Sequence, residues 1–274
     1  VLQYADAGRY IQDEIVTQNL SIWQDPSVVA TAGAAIDVIE GAVSVQSLYF
    51  NIDNVYIEGT FYGIRGMAGV SCAVRNSNIS KCVNHGVYLT GLHSTTSTVF
   101  ENTYSHQNGG DGFNIEKGAY VEFVACASDS NMGFGYKLNK TRGYSFVGCG
   151  AEVNQKSALN LIATGGGDIN LFAISNMEGV AKLESNVGAV KFSGGDWEGT
   201  GFAIRNVGVS KVHLDGTVLA GDYATNRSDA IAYLLDESSN SVGKLIGGTK
   251  NQWAIGASQQ PDSDGGFTVG GIAS

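Results

Sequence analysis

The chain has 274 residues, with 16 Lys and Arg against 26 Asp and Glu, for a net charge of −10. That balance offers no basic stripe for nucleic acid, and no apolar run approaches the roughly 20 residues of a membrane-spanning helix, so neither partner is expected. With 38 Gly, 2 Pro and only 15% charged residues, the composition suits short strands joined by tight turns better than long helices.

The chain starts at Val1 with neither an initiator Met nor a signal-peptide pattern, which reads as a fragment or processed product lacking flanking domains. Residues 1–35 fit no internal repeat well and are expected to be a lead-in that caps the open end of a core. From 36 to 256 one phrase keeps returning. An apolar residue closing a short strand recurs at Ile39, Ile64, Leu89, Ile115, Leu138, Leu161, Leu183, Ile204, Leu234 and Ile255. Asn precedes that strand at Asn84, Asn108, Asn131, Asn154 and Asn176, and an aromatic recurs at Phe100, Phe123 and Phe146.

Between these anchors the residues alternate with the strand period. Strands this short can bury an apolar face only by stacking on the copies above and below. The expected fold is therefore all-β: a right-handed single-stranded parallel β-helix of about ten coils, with rungs spaced about 4.8 Å apart. The Asn column is expected to turn sharp left-handed corners and to hydrogen-bond along its length. Cys72, Cys82, Cys126 and Cys149 show no metal-ligand spacing and read as small buried thiols. No metal or cofactor is expected.

Three outward-facing groups carry candidate chemistry. Tyr88, Asn114, Lys137, Asn160 and Lys182 occupy matching repeat positions, a strip of phenol, amide and amine groups suited to sugar hydroxyls or an acidic sugar's carboxylate, or simply a solvated sheet face. Counting two residues back from each Asn gives Cys82, His106, Asp129, Glu152 and Ile174. Asp129 and Glu152 on adjacent rungs would sit near the separation of a retaining glycosidase pair, one carboxyl raising the pKa of the other, with His106 as a third titrating group. Further on, "NMEG" at 176–179 aligns with "DWEG" at 196–199. This alignment stacks Glu178 beside Glu198, with Asp196 and Trp197 adjacent. Carboxylates beside an exposed aromatic could hold and cleave a sugar, whereas an inward Trp197 would be core.

Other motifs read as turn chemistry. Asp111 in "GGDGFNI" lacks the ligand count of a calcium loop. "TGGGD" at 164–168 lacks the Lys-Ser/Thr of a phosphate loop. The 30-residue interval around "AGDYATNRSDA" reads as a loop pushed out of one coil, and 257–274 as a Gly-rich tail or junction to a further domain.

The rung "VEFVACASDSN" followed by "GFGYKL" (121–138) resembles that of the pectate-lyase-like β-helix superfamily, and within it most closely bacteriophage tailspikes and related polysaccharide depolymerases. The resemblance spans about residues 36–256 and involves scaffold positions. It implies a trimeric, virion-borne protein that binds or cuts host capsule or O-antigen. Three activities remain open on this reading. Hydrolysis would use Glu178, Glu198 and Asp196, or Asp129 and Glu152. β-Elimination on a uronate polymer would use His106, Tyr88, Lys137 and Lys182. The third is a non-catalytic spike.

Overall fold

A computed structural model describes residues 2–5, 14–39, 49–66, 71–90, 95–185, 188–198, 202–206, 211–215, 218–220, 234–236, 242–244 and 266–268. Among them there is no helix, and the strands stack into a parallel solenoid. One sheet contains ten parallel strands, running from Leu2–Ala5 through Val87–Leu89, Phe113–Ile115, Tyr136–Asn139 and Leu159–Ile162 to Leu234–Asp236. A second sheet, of 14 strands, forms the remaining sides of the coil.

A single coil shows how the sequence turns its corners. Phe113–Ile115 is followed by Gly118–Val124, which bends at Ala125 (φ 50°) into Ala127–Asp129. Asn54, Asn76 and Asn102 are left-handed at the equivalent bend of earlier coils. The next corner turns on Lys81, Gln107, Ser130, Val153 and Ser175, with φ between 52° and 56°. The buried Asn108, Asn131, Asn154 and Asn176 are therefore not the left-handed residues themselves; each follows one. Their amides do form the expected ladder: Asn108 Nδ2 donates to Asn131 Oδ1 at 2.9 Å, Asn131 to Asn154 at 2.9 Å, and Asn154 to Asn176 at 2.8 Å. The ladder gives a left-handed corner to residues as poorly suited to it as Val153.

Asn84 lies outside this ladder. Cys82 takes the equivalent place, its N–H donating to Asn108 Oδ1 at 3.0 Å, while Asn84 donates to the Tyr62 hydroxyl. The apolar column holds from Leu89 through Ile115, Leu138 and Leu161 to Leu183. Beyond it the register shifts: Ile64 pairs with Val87 and Ile204 with Ala181, each two residues from the column, while Ile36, not Ile39, pairs with Ile64. A two-residue slip keeps the same face inward, so the fold tolerates it.

The lead-in expected to cap the core supplies strands within the stack. Leu2–Ala5 pairs in parallel with Ala34–Ile39, and Glu14–Trp23 with Tyr49–Glu58. Ile255 and the interval 221–230 lie outside the described residues. Within 257–274 only 266–268 is described, paired antiparallel with Val242–Lys244.

Aromatic stacking fills the core. Phe123 stacks between Phe100 and Phe146 at 4.9 and 4.6 Å, and Phe113 and Tyr136 meet it edge-on at 5.5 and 5.3 Å. Each such ring stabilises the fold by about 1.5–3 kcal/mol through burial alone. All four cysteines are free and buried, and burial pushes Cys72 and Cys82 up to about 12, which makes them poor nucleophiles.

Candidate functional site

The outer face of the second sheet gathers most of the candidate acids. Backbone register places Glu58, Ser80, His106, Asp129, Glu152, Ile174 and Glu198 in one column. The rung before His106 therefore contributes Ser80 rather than Cys82, which takes the place of an Asn in the ladder. Two residues N-terminal, a parallel column runs Tyr56, Asn78, Tyr104, Ala127, Gly150 and Phe172, with Asp196 at the next rung.

The small residues in that second column shape the surface. Tyr104 and the exposed Phe172 stand three rungs apart, about 14 Å at the usual strand spacing. Between them are only Ala127 and Gly150, and a Cβ added at Gly150 would meet nothing within 4 Å. The result is a notch with an aromatic at each end and Asp129 and Glu152 along its side. Neighbouring rungs put the backbones of these two acids about 5 Å apart.

Local contacts divide the pair. Asp129 Oδ1 accepts the Glu152 N–H at 3.1 Å, and Asp129 also accepts from the Tyr104 hydroxyl. Tyr104 is pushed up to about 12, first by desolvation and then by that bond. Glu152 is raised above the ordinary glutamate value, first by desolvation and then by the charge of Asp129. His106 stacks on Tyr104 at 4.3 Å, its Nε2 lies 3.3 Å from Asn78 Oδ1, and desolvation lowers its pKa. At the other end of the column Glu58 accepts from Lys81 at 2.6 Å and from the Tyr56 hydroxyl, and these bonds lower its pKa.

The second proposed cluster needs correcting. Glu198 pairs with Ile174, so the 176–179/196–199 alignment does not stack Glu178 on Glu198. Glu178 sits in the turn after the Asn ladder, four residues past the strand position that the alignment assumed. Trp197 is buried (1% exposed), and its indole N–H donates to Leu171 O at 2.9 Å; it is a core residue, not a sugar platform. Asp196 and Glu198 do face outward, on the same surface as Asp129 and Glu152. The two clusters that the sequence kept apart are thus one strip, without Glu178.

The strip on the ten-stranded sheet is in register as expected, Tyr88 beside Asn114, Lys137, Asn160 and Lys182. Its two lysines are taken by neighbouring acids, and its two amides are buried with Oδ1 atoms that find no partner. Lys137 pairs with Glu116 at 2.9 Å and Lys182 with Glu184 at 3.1 Å; Asn114 and Asn160 are each 2% exposed. Asn114 Nδ2 donates to Asp111 Oδ2 at 2.8 Å, and Asp111 Oδ1 accepts the Phe134 N–H at 2.8 Å, so Asp111 ties consecutive turns together. His85, Tyr62 and Tyr88 stack at one end, with centroids 5.3–6.0 Å apart.

Sequence reasoning missed Tyr104, Phe172 and the Ala127–Gly150 gap. The signal was present, since Tyr104, Ala127 and Gly150 recur at 23-residue offsets, but it concerned a space and not a side chain. No group of three or more His, Cys, Asp or Glu is arranged to hold a metal among the described residues.

Residues 31–151 match the family described as right handed beta helix region. Over the whole chain the architecture is similar to the gp42 tailspike of Acinetobacter phage vb_AbaP_AS12, with a TM-score of 0.58 and 12% identity. That match covers 94% of this chain and 51% of the tailspike chain. It is also similar to the A-module of mannuronan C-5 epimerase AlgE4 from Azotobacter vinelandii, with a TM-score of 0.51 and 11% identity over 87% of this chain and 74% of that one. The likeness is one of fold. No curated protein sequence matches the chain.

Proposed function

We propose that the chain binds a bacterial surface polysaccharide, capsule or O-antigen, and hydrolyses it within the polymer at the notch, as an extracellular, virion-borne spike. The observation that carries this reading is the carboxylate pair on adjacent rungs, set beside a gap walled by Tyr104 and Phe172. The raised Glu152 is the group suited to protonate the leaving glycosidic oxygen. Asp129, on the adjacent rung, attacks the anomeric carbon on this reading, as the nucleophile of a retaining enzyme. After the leaving group departs, Glu152 as carboxylate takes a proton from water, which displaces Asp129 and restores both groups. The fold likeness to a phage tailspike supports the setting.

The β-elimination reading loses ground on geometry. His106 lies on the second sheet, whereas Tyr88, Lys137 and Lys182 lie on the ten-stranded sheet, with the two lysines already paired.

The test is incubation with a panel of capsular and O-antigen polysaccharides, following reducing ends together with absorbance from an unsaturated uronate. New reducing ends without absorbance are expected, and Glu152→Gln should slow their release by about a hundredfold or more. A rise in both signals would mean a lyase. Binding with neither signal would mean a spike that holds its host without cutting.

A further inference from the structure

A cleft of about 940 Å³ opens at a corner where the ten-stranded sheet turns into the second sheet, a different edge of the coil from the notch. Its charged lining is Lys117, Lys140 and Arg142. Lys117 and Lys140 occupy the same place in consecutive coils, their backbones one rung apart, about 5 Å along the stack. Arg142 lies opposite Ala119 on one side and beside Gly165 and Gly166 on the other, and it is exposed.

Three cations meeting in one cleft are unexpected in a chain of net charge −10. Their repulsion is not relieved internally: among the described residues no ion pair involves any of the three, and nearby Glu116 is taken by Lys137 and Asn139. A cleft whose charged lining is all positive favours an anion in it. The volume lies within the range of small-ligand sites.

A second, independent feature adjoins the cleft. Tyr120 is 71% exposed and holds a left-handed backbone (φ 56°) within its strand. Its ring lies over the cleft residue Gly143, where a Cβ would come within 3.4 Å of the ring. Gly143, itself at φ 66°, leaves the ring's approach clear. An exposed aromatic beside a cationic cleft presents an apolar face and an anion-binding group at once. That combination matches a sugar that carries a carboxylate.

We propose that this cleft is a binding site for an acidic saccharide, its carboxylate held by Lys117, Lys140 and Arg142 and its C–H face against Tyr120. The site is separate from the hydrolytic notch and does not depend on it.

The test is calorimetric titration of the whole chain with tetragalacturonate, maltotetraose and sodium sulfate. Tetragalacturonate should bind and maltotetraose should not. Lys140→Ala and Arg142→Ala should each weaken tetragalacturonate by about tenfold, the size of one charge-assisted contact, with Arg142→Lys retaining part of the affinity. Tyr120→Ala should weaken tetragalacturonate while leaving any sulfate binding unchanged. Asp129→Asn and Glu152→Gln should not alter affinity, which separates this site from the notch. Failure of tetragalacturonate to bind, or equal binding of maltotetraose, would overturn the proposal. So would insensitivity to the Lys140 and Arg142 changes with unaltered melting temperatures. An unaltered affinity in Tyr120→Ala would reduce the cleft to a simple anion site and overturn the saccharide assignment.

Discussion

At His85 the ring Nδ1 accepts the Asp111 N–H at 2.8 Å, a bond available only while that nitrogen carries no proton. Burial lowers this histidine's pKa; Asp111 and Glu116 pull it upward, and Lys137 acts with the burial. His106 is lowered as well, by desolvation first. A depressed folded pKa gives stability that is present above the unfolded value, near 6.5, and is lost as pH falls through the folded one. Melting temperature should therefore drop as pH falls below about 6.5, above the range of the lowered Glu58 and Glu116. His85→Gln should flatten part of that drop, whatever it does to the absolute melting temperature. An unchanged slope would mean that His85 binds its proton alike in the folded and unfolded states, so that burial does not shift it. Glu152 runs the other way, since its raised pKa favours the folded state at low pH and that contribution fades as pH rises. In catalysis the same shift means that activity should decline on the alkaline side as Glu152 loses its proton.

The element that organises the coil is the Asn ladder. Asn131 is fully buried and donates to Asn154 Oδ1, Ser128 Oγ and Ser105 O while accepting both the N–H and the amide of Asn108. Replacing it by Ala orphans donors and acceptors on two neighbouring rungs at once. The expected cost is about 3 kcal/mol or more, because each unsatisfied buried group contributes roughly 1–3 kcal/mol. Denaturant unfolding should show the midpoint falling with little change in slope. A change smaller than about 1 kcal/mol would mean that water replaces the amide, so that the ladder contributes little. The ladder was legible in the sequence as a column at 22- and 23-residue spacing. Its left-handed partner was not, because Gln107, Ser130, Val153 and Ser175 share no chemistry from which a corner could be read. What they share is the position before a buried amide.

For the whole molecule, the parallel stack makes each rung dependent on its neighbours. We propose a homotrimer, and on that proposal sedimentation of the purified chain should give three times the 28.7 kDa monomer mass. A monomer at all concentrations would detach the trimer from this chain. The fold itself could be read from the sequence because a period near 23 residues, with Phe100, Phe123 and Phe146 in phase, has one economical solution: strands too short to pair within a coil must pair between coils. Alternation then gave outward residues, including Asp129, Glu152, Tyr88, Lys137 and Lys182, whereas Asn114 and Asn160 of the same strip are buried.

Register and depth were decided only in three dimensions. The sequence aligned Glu178 with Glu198 by their similar flanks, but the pairing of Trp197 with Ala173 sets Glu198 beside Ile174 instead, since the buried indole must lie within the core. In the same way Lys137 and Lys182 looked like free cations until the fold brought Glu116 and Glu184 to them. The charges left unanswered, Lys117, Lys140 and Arg142, drew no attention in the sequence. Period and alternation are local properties that one chain displays along its length. Which charges are neutralised, and where a missing side chain opens a space, depends on residues one coil away, and only the stacked structure brings those together.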